Sequence, residues 1–134
     1  MLAIALIFIM LFVSYAVIFA GQNEPQLSKN MVFWEINQEF DIYSGNVRNI
    51  EVVDLSDVNL TIRDSSSDST NSTDFLEDGL VIETDGDFNC TFFDRNNNGK
   101  LDDDDDFIVH NASAGDWVKL YLKSTGKELA YYTF

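Results

Sequence analysis

GDWVKLYLKSTGKELAYYTF, residues 115–134, carries a period of two. Val118, Leu120 and Leu122 alternate with Lys119, Tyr121 and Lys123, Ser124-Thr-Gly-Lys127 supplies a turn, and Glu128–Phe134 returns as an aromatic-rich run. Successive side chains of a strand point to opposite faces, so this pattern predicts a hairpin with one apolar face. Burying that face stabilises the domain by roughly 25 cal/mol for each Å² removed from water.

The same pattern extends upstream. Val58, Leu60 and Ile62 alternate with Asn59, Thr61 and Arg63, a half-buried strand. Leu80–Thr84 and Phe88–Phe93 flank a turn at Asp85-Gly-Asp87, and Phe107–Val109 makes another short strand. Ser44-Gly-Asn46 reads as a turn, with a strand expected over Val47–Leu55 after it. The tract from Asp64 to Asp74 holds no apolar residue and reads as a solvated loop. Six or seven short strands separated by turns predict a β-sandwich-like domain over residues 41–134.

One stretch carries recognisable chemistry. DRNNNGKLDDDDD (94–106) fits a twelve-residue calcium loop with Asp94 at position 1, Asn96 at 3 and Asn98 at 5. Gly99 falls where that loop turns sharply, Lys100 offers its backbone carbonyl, Leu101 is the apolar anchor, and Asp102 and Asp105 take positions 9 and 12. Asp stands where a bidentate Glu is usual, and the flanks read as strands, so the expectation is a Ca²⁺ loop joining two strands. Asp103, Asp104 and Asp106 are reserve ligands. Five successive aspartates repel one another without a counter-ion, which favours a bound cation.

The chain has 23 acidic and 8 basic side chains, a formal charge of −15. Phosphate recognition needs a basic surface, so nucleic acid is not an expected partner. Cys90 is the only cysteine and His110 the only histidine, leaving no internal disulfide, no thiolate metal site and no nucleophile–base pair. An enzyme is therefore not expected. Trp34, Trp117, Tyr131, Tyr132 and Phe134 read as core or subunit contacts rather than a ligand cage. Four N-x-S/T sequons, at Asn59, Asn71, Asn89 and Asn111, favour an extracellular, glycan-bearing domain.

Met1–Ala20 contains no charged residue, and only Ser14 and Tyr15 bring polar side-chain atoms. At about 1.5 Å per residue, a helix of this length would be roughly 30 Å long, the thickness of a hydrocarbon core. Apolar on every side, it predicts a helix surrounded by lipid or by other apolar helices. Gly21 and Pro25 mark an end or kink near residue 26, and Leu27–Phe40 reads either as further helix or as an extended arm. A signal peptide fits poorly because no Lys or Arg precedes the apolar run. A plain single-span anchor competes with a processed subunit whose basic leader was removed, and the latter is the preferred reading.

Met1–Ala20, FFDRNNNGKLDDDDDFIV (92–109) and GDWVKLYLKSTGKELAYYTF (115–134) together resemble archaeal type IV pilins, relatives of the archaellins. Ala5 stands where bacterial type IV pilins carry glutamate, which points to the archaeal branch. The resemblance implies an α+β architecture: a hydrophobic N-terminal assembly helix over 1–26, with extension to about 40 left open, then the β-rich acidic domain. It also implies a homo-oligomeric helical filament at the cell surface, inserted in the membrane before assembly and serving adhesion. Two alternatives remain: an archaellin-type motility subunit, and a monotopic surface binding protein with a calcium-binding β domain.

Overall fold

The computed structural model describes residues 28–134. The chain enters through β1 (Ser28–Lys29) and β2 (Met31–Asn37), turns at 38–41, and returns as β3 (Ile42–Val47). β4 (Val53–Asp54) and a single 3₁₀ turn at Leu55–Asp57 lead into β5 (Val58–Asp64) and β6 (Ser69–Thr73). β7 (Val81–Glu83), β8 (Asn89–Phe93), β9 (Lys100–Leu101) and β10 (Asp106–His110) follow, and β11 (Trp117–Leu122) and β12 (Glu128–Thr133) complete the fold.

Two antiparallel five-stranded sheets result, ordered β1-β12-β11-β5-β6 and β2-β3-β10-β8-β7, with β4 and β9 forming a small third ladder. Alternation decides which face each sheet buries. Val58, Leu60 and Ile62 of β5, Val118 and Leu120 of β11, and Cys90, Phe92, Phe107 and Val109 of the opposite sheet all join one apolar core. Two sheets sharing one core in this way form a sandwich. Rings close one end of it: Phe134 packs against Phe33, Tyr43, Phe88 and Tyr132 with centroids 4.9 to 6.0 Å apart.

The expected α+β class is overturned. Among the described residues strand accounts for 52% and helix for 3%, so the described part of the chain is all-β. The helix expected over residues 1–26 lies outside the described residues. Its extension toward residue 40 is replaced by β1 and β2, which the β-branched and aromatic run Met31–Ile36 favours. The sandwich thus already includes residues 28–40.

Three smaller readings also change. Ser44-Gly-Asn46 is no turn but the middle of β3, where Gly45 lies in register between Phe33 and Phe107. A Cβ on Gly45 would lie 2.4 Å from the Phe33 ring; the position is glycine because a ring covers it. The expected strand over Val47–Leu55 shrinks to β4, with residues 48–52 irregular. The polar Asp64–Asp74 tract supplies an edge strand, β6, paired with β5. It starts from a buried carboxylate: Asp64 accepts from the Ser66 N–H (2.9 Å), the Ser66 hydroxyl (2.6 Å) and the Ser67 N–H (3.3 Å).

Cys90 faces the core, and burial pushes its thiol pKa up to about 12. Alkylation of native protein by iodoacetamide at pH 8 is therefore expected to be at least about a hundredfold slower than of protein unfolded in guanidinium. Intact-mass spectrometry checks it; equal rates would mean that β8 opens readily.

Candidate metal centre

The loop expected to bind Ca²⁺ joins β8 to β10, and β9 lies within it. Its flanks are strands, as the sequence suggested, and β9 pairs with β4 through Val53–Leu101 and Asp54–Lys100. Leu101 is fully buried and anchors the loop to the core. Asn97 (φ 53°) and Gly99 (φ 72°) adopt the left-handed conformation that curls the backbone back on itself. Asn tolerates that region better than most residues, which suits the Asn-Asn-Asn-Gly run.

The curl brings the predicted ligands together. Asn96 Nδ2 and Asn98 Nδ2 both donate to Asp102 Oδ2, at 3.0 and 2.7 Å. Asp105 Oδ2 accepts from the Asp102 N–H at 3.0 Å, and Asp94 Oδ2 accepts from the Gly99 N–H at 2.9 Å. A half-turn of either amide would present its oxygen in place of its nitrogen. Lys100 points its ammonium away, to Asp54 Oδ1 at 2.9 Å, leaving only its backbone to the loop.

Charge sets this loop apart. Four aspartates are buried: Asp64, Asp94, Asp105 and Asp116. Asp116, like Asp64, is saturated, accepting from the Ser65 N–H (2.8 Å), the Ser65 hydroxyl (2.9 Å) and the Ser113 N–H (2.7 Å). The loop pair is not: Asp94 Oδ1 and Asp105 Oδ1 are buried without a hydrogen-bond partner. Leaving a buried carboxylate oxygen unmatched costs about 1–3 kcal/mol or more. Burial, then the neighbouring charges of Asp102 and Asp94, push the Asp105 carboxyl up to about 7. Asp102 moves the other way, held low chiefly by the Asn96 amide and then by Asn98.

This donor set is all oxygen, suited to a hard cation such as Ca²⁺. Asp103 and Asp104 can join Asp102 at the exposed rim, where their carboxylate oxygens come within 4.8 Å of one another. Asp106 cannot serve so readily, because it pairs with Arg95 at 2.6 Å. Asp78 was not foreseen: from 16 residues upstream it accepts the Asp94 N–H at 3.0 Å and fixes the entry to the loop. No local spacing marks it, since it reaches the loop only through the fold.

Of the four sequons, Asn71 and Asn111 are exposed, while Asn59 and Asn89 are half-buried on β5 and β8. No helix among the described residues is long and apolar enough to cross a membrane. The chain matches no family model, no curated protein and no solved structure.

Proposed function

We propose that this protein is a non-catalytic structural subunit of an extracellular filament, assembling through its apolar N-terminal segment and contributing to surface attachment. The observation that carries this reading is a twenty-residue uncharged run, Met1–Ala20, joined to an acidic β-sandwich. Copies that bury such runs against one another remove them from water, which a single copy cannot do outside lipid. The sandwich, with glycans at the exposed Asn71 foremost, then forms a soluble outer wall, and the apolar run resides in the membrane before assembly. Ca²⁺ held by Asp94, Asn96, Asn98, the Lys100 carbonyl, Asp102 and Asp105 stiffens that wall by neutralising carboxylates that would otherwise repel.

The test is cryo-electron microscopy of material sheared from cells without detergent. Filaments whose outer density fits the sandwich are expected. Recovery only in the detergent-extracted membrane fraction would overturn the filament and favour a membrane-held surface protein.

A further inference from the structure

We propose that a cation in the 94–105 loop clamps the neighbouring segment 48–54, so that Ca²⁺ concentration decides whether this stretch stays closed on the sandwich or peels away from it. The inference rests on the cation reading of that loop, and goes beyond it by naming what the ion controls.

The segment is loosely packed. Residues 48–52 form no strand, and β4 has a single ladder, with β9. Asn49, Ile50 and Val53 border a cavity of about 330 Å³, closed on its other walls by Lys29, Leu122 and Leu129 among others. A second cavity, of about 230 Å³, is lined by Arg48, Asn49 and Val52 of the segment and by Asp102 and Asp103 of the loop. Close packing is what makes a core element hard to open, and a stretch bordering two cavities lacks it.

Its ties converge on the loop. Val53 and Asp54 pair with Leu101 and Lys100, the Leu55 N–H donates to the Gly99 carbonyl at 3.0 Å, and the Lys100 ammonium meets Asp54 at 2.9 Å. At the other end the Arg48 N–H donates to the Asn30 carbonyl at 2.9 Å. The loop residues that make these ties hang in turn from two buried carboxylates: the Gly99 N–H donates to Asp94 and the Asp102 N–H to Asp105. Asp94 and Asp105 are 7% and 0% exposed, and each keeps its second oxygen buried without a hydrogen-bond partner. A cation that satisfies both oxygens holds residues 99–102 at their two ends, and this short stretch carries the bonds to β4. Opening the β4–β9 clasp then means releasing the ion, and a ligand bound only by the closed form stabilises it as its saturation rises.

The experiment is hydrogen–deuterium exchange of full-length protein in detergent, read by mass spectrometry across a Ca²⁺ series. Peptides covering 48–55 are expected to exchange about a hundredfold more slowly when Ca²⁺ is about a hundred times its dissociation constant, the rate falling in inverse proportion to concentration. The β6 edge, paired with β5, should not respond. Asp54→Cys with Lys100→Cys, oxidised to join this register pair, should slow the same peptides in chelator and abolish their response to Ca²⁺. Circular dichroism checks that the variant is folded; exchange that stays fast once the bond has formed would overturn the clasp. Titration calorimetry of the parent separates the two readings. Ca²⁺ that binds without slowing 48–55 refutes the clamp and leaves the site, whereas no Ca²⁺ binding refutes both.

Discussion

Full-length protein in about 10 mM Ca²⁺ is expected to unfold roughly 10 °C or more above the same protein in chelator. An extracellular site with a dissociation constant near 10⁻⁴ M would be about hundredfold saturated, worth about 2.7 kcal/mol. For a domain of this size each kcal/mol moves the midpoint by about 4–8 °C. The variant that isolates the cause is Asp105→Asn. Its amide oxygen can still accept from the Asp102 N–H, but it removes a buried charge next to Asp94 and Asp102. In chelator at pH 7.5 it should therefore be more stable than the parent, and in Ca²⁺ less stable. Asp94→Asn should likewise lose the Ca²⁺ response. Scanning calorimetry with and without metal decides; a parent insensitive to Ca²⁺ would refute the site.

The pH dependence has a definite sign. The folded Asp105 pKa, about 7, lies above that of an unfolded aspartate. Without metal its contribution to stability is full below the unfolded pKa and is lost as pH rises toward 7. Ca²⁺ must displace that proton, so its affinity should weaken by about tenfold per pH unit below 7 and level off above it. Calorimetric titration in buffers of different ionisation heat would count the proton released.

Gly45→Ala is expected to cost about 3 kcal/mol, an unusually large penalty for adding one methyl group. The new Cβ would meet Phe33 Cδ1 at 2.4 Å, and the ring has little room to yield, since Tyr132 and Phe134 lie 5.1 Å from its centroid. The ring must leave its place or β2 must lift from β3. In a Phe33→Leu background the same substitution should cost less than about 1 kcal/mol, because the planar obstacle is gone. Urea denaturation of the four proteins closes the cycle; additive effects would mean that the methyl is resisted by something other than that ring.

These two positions show what the sequence could and could not reveal. β5 and β11 were legible because each is paired on both sides and buries one face, so Val58-Leu60-Ile62 and Val118-Leu120 keep strict alternation. Ser44-Gly-Asn46 misled because glycine beside Ser and Asn usually signals a turn; its reason here is a ring from another strand. β6 was hidden for the opposite reason: an edge strand with Thr70, Asn71 and Ser72 exposed needs no apolar residue. The curl of the 94–105 loop was legible because all the residues it brings together lie within one short segment. Asp78, which steadies the loop from elsewhere, and the saturation of Asp64 and Asp116, which makes the unpaired loop oxygens informative, exist only once the chain is folded.

The crossing of the chain from one sheet to the other at Asn30 has a mechanical meaning. Asn30 takes φ 53° between β1 and β2, its side chain donates to the Leu129 carbonyl, and its own carbonyl accepts from the Arg48 N–H. A pull applied at Ser28 along the strand axis would be divided at once between β12 in one sheet and β3 in the other. Under such a load the longer β2–β3 ladder is strained in shear, so that its hydrogen bonds must rupture together rather than being unzipped one at a time, while the two-residue β1 adds only a short grip on β12. A sandwich pulled by its leading strand thus resists at its first residues, before the load reaches the loop between β8 and β10.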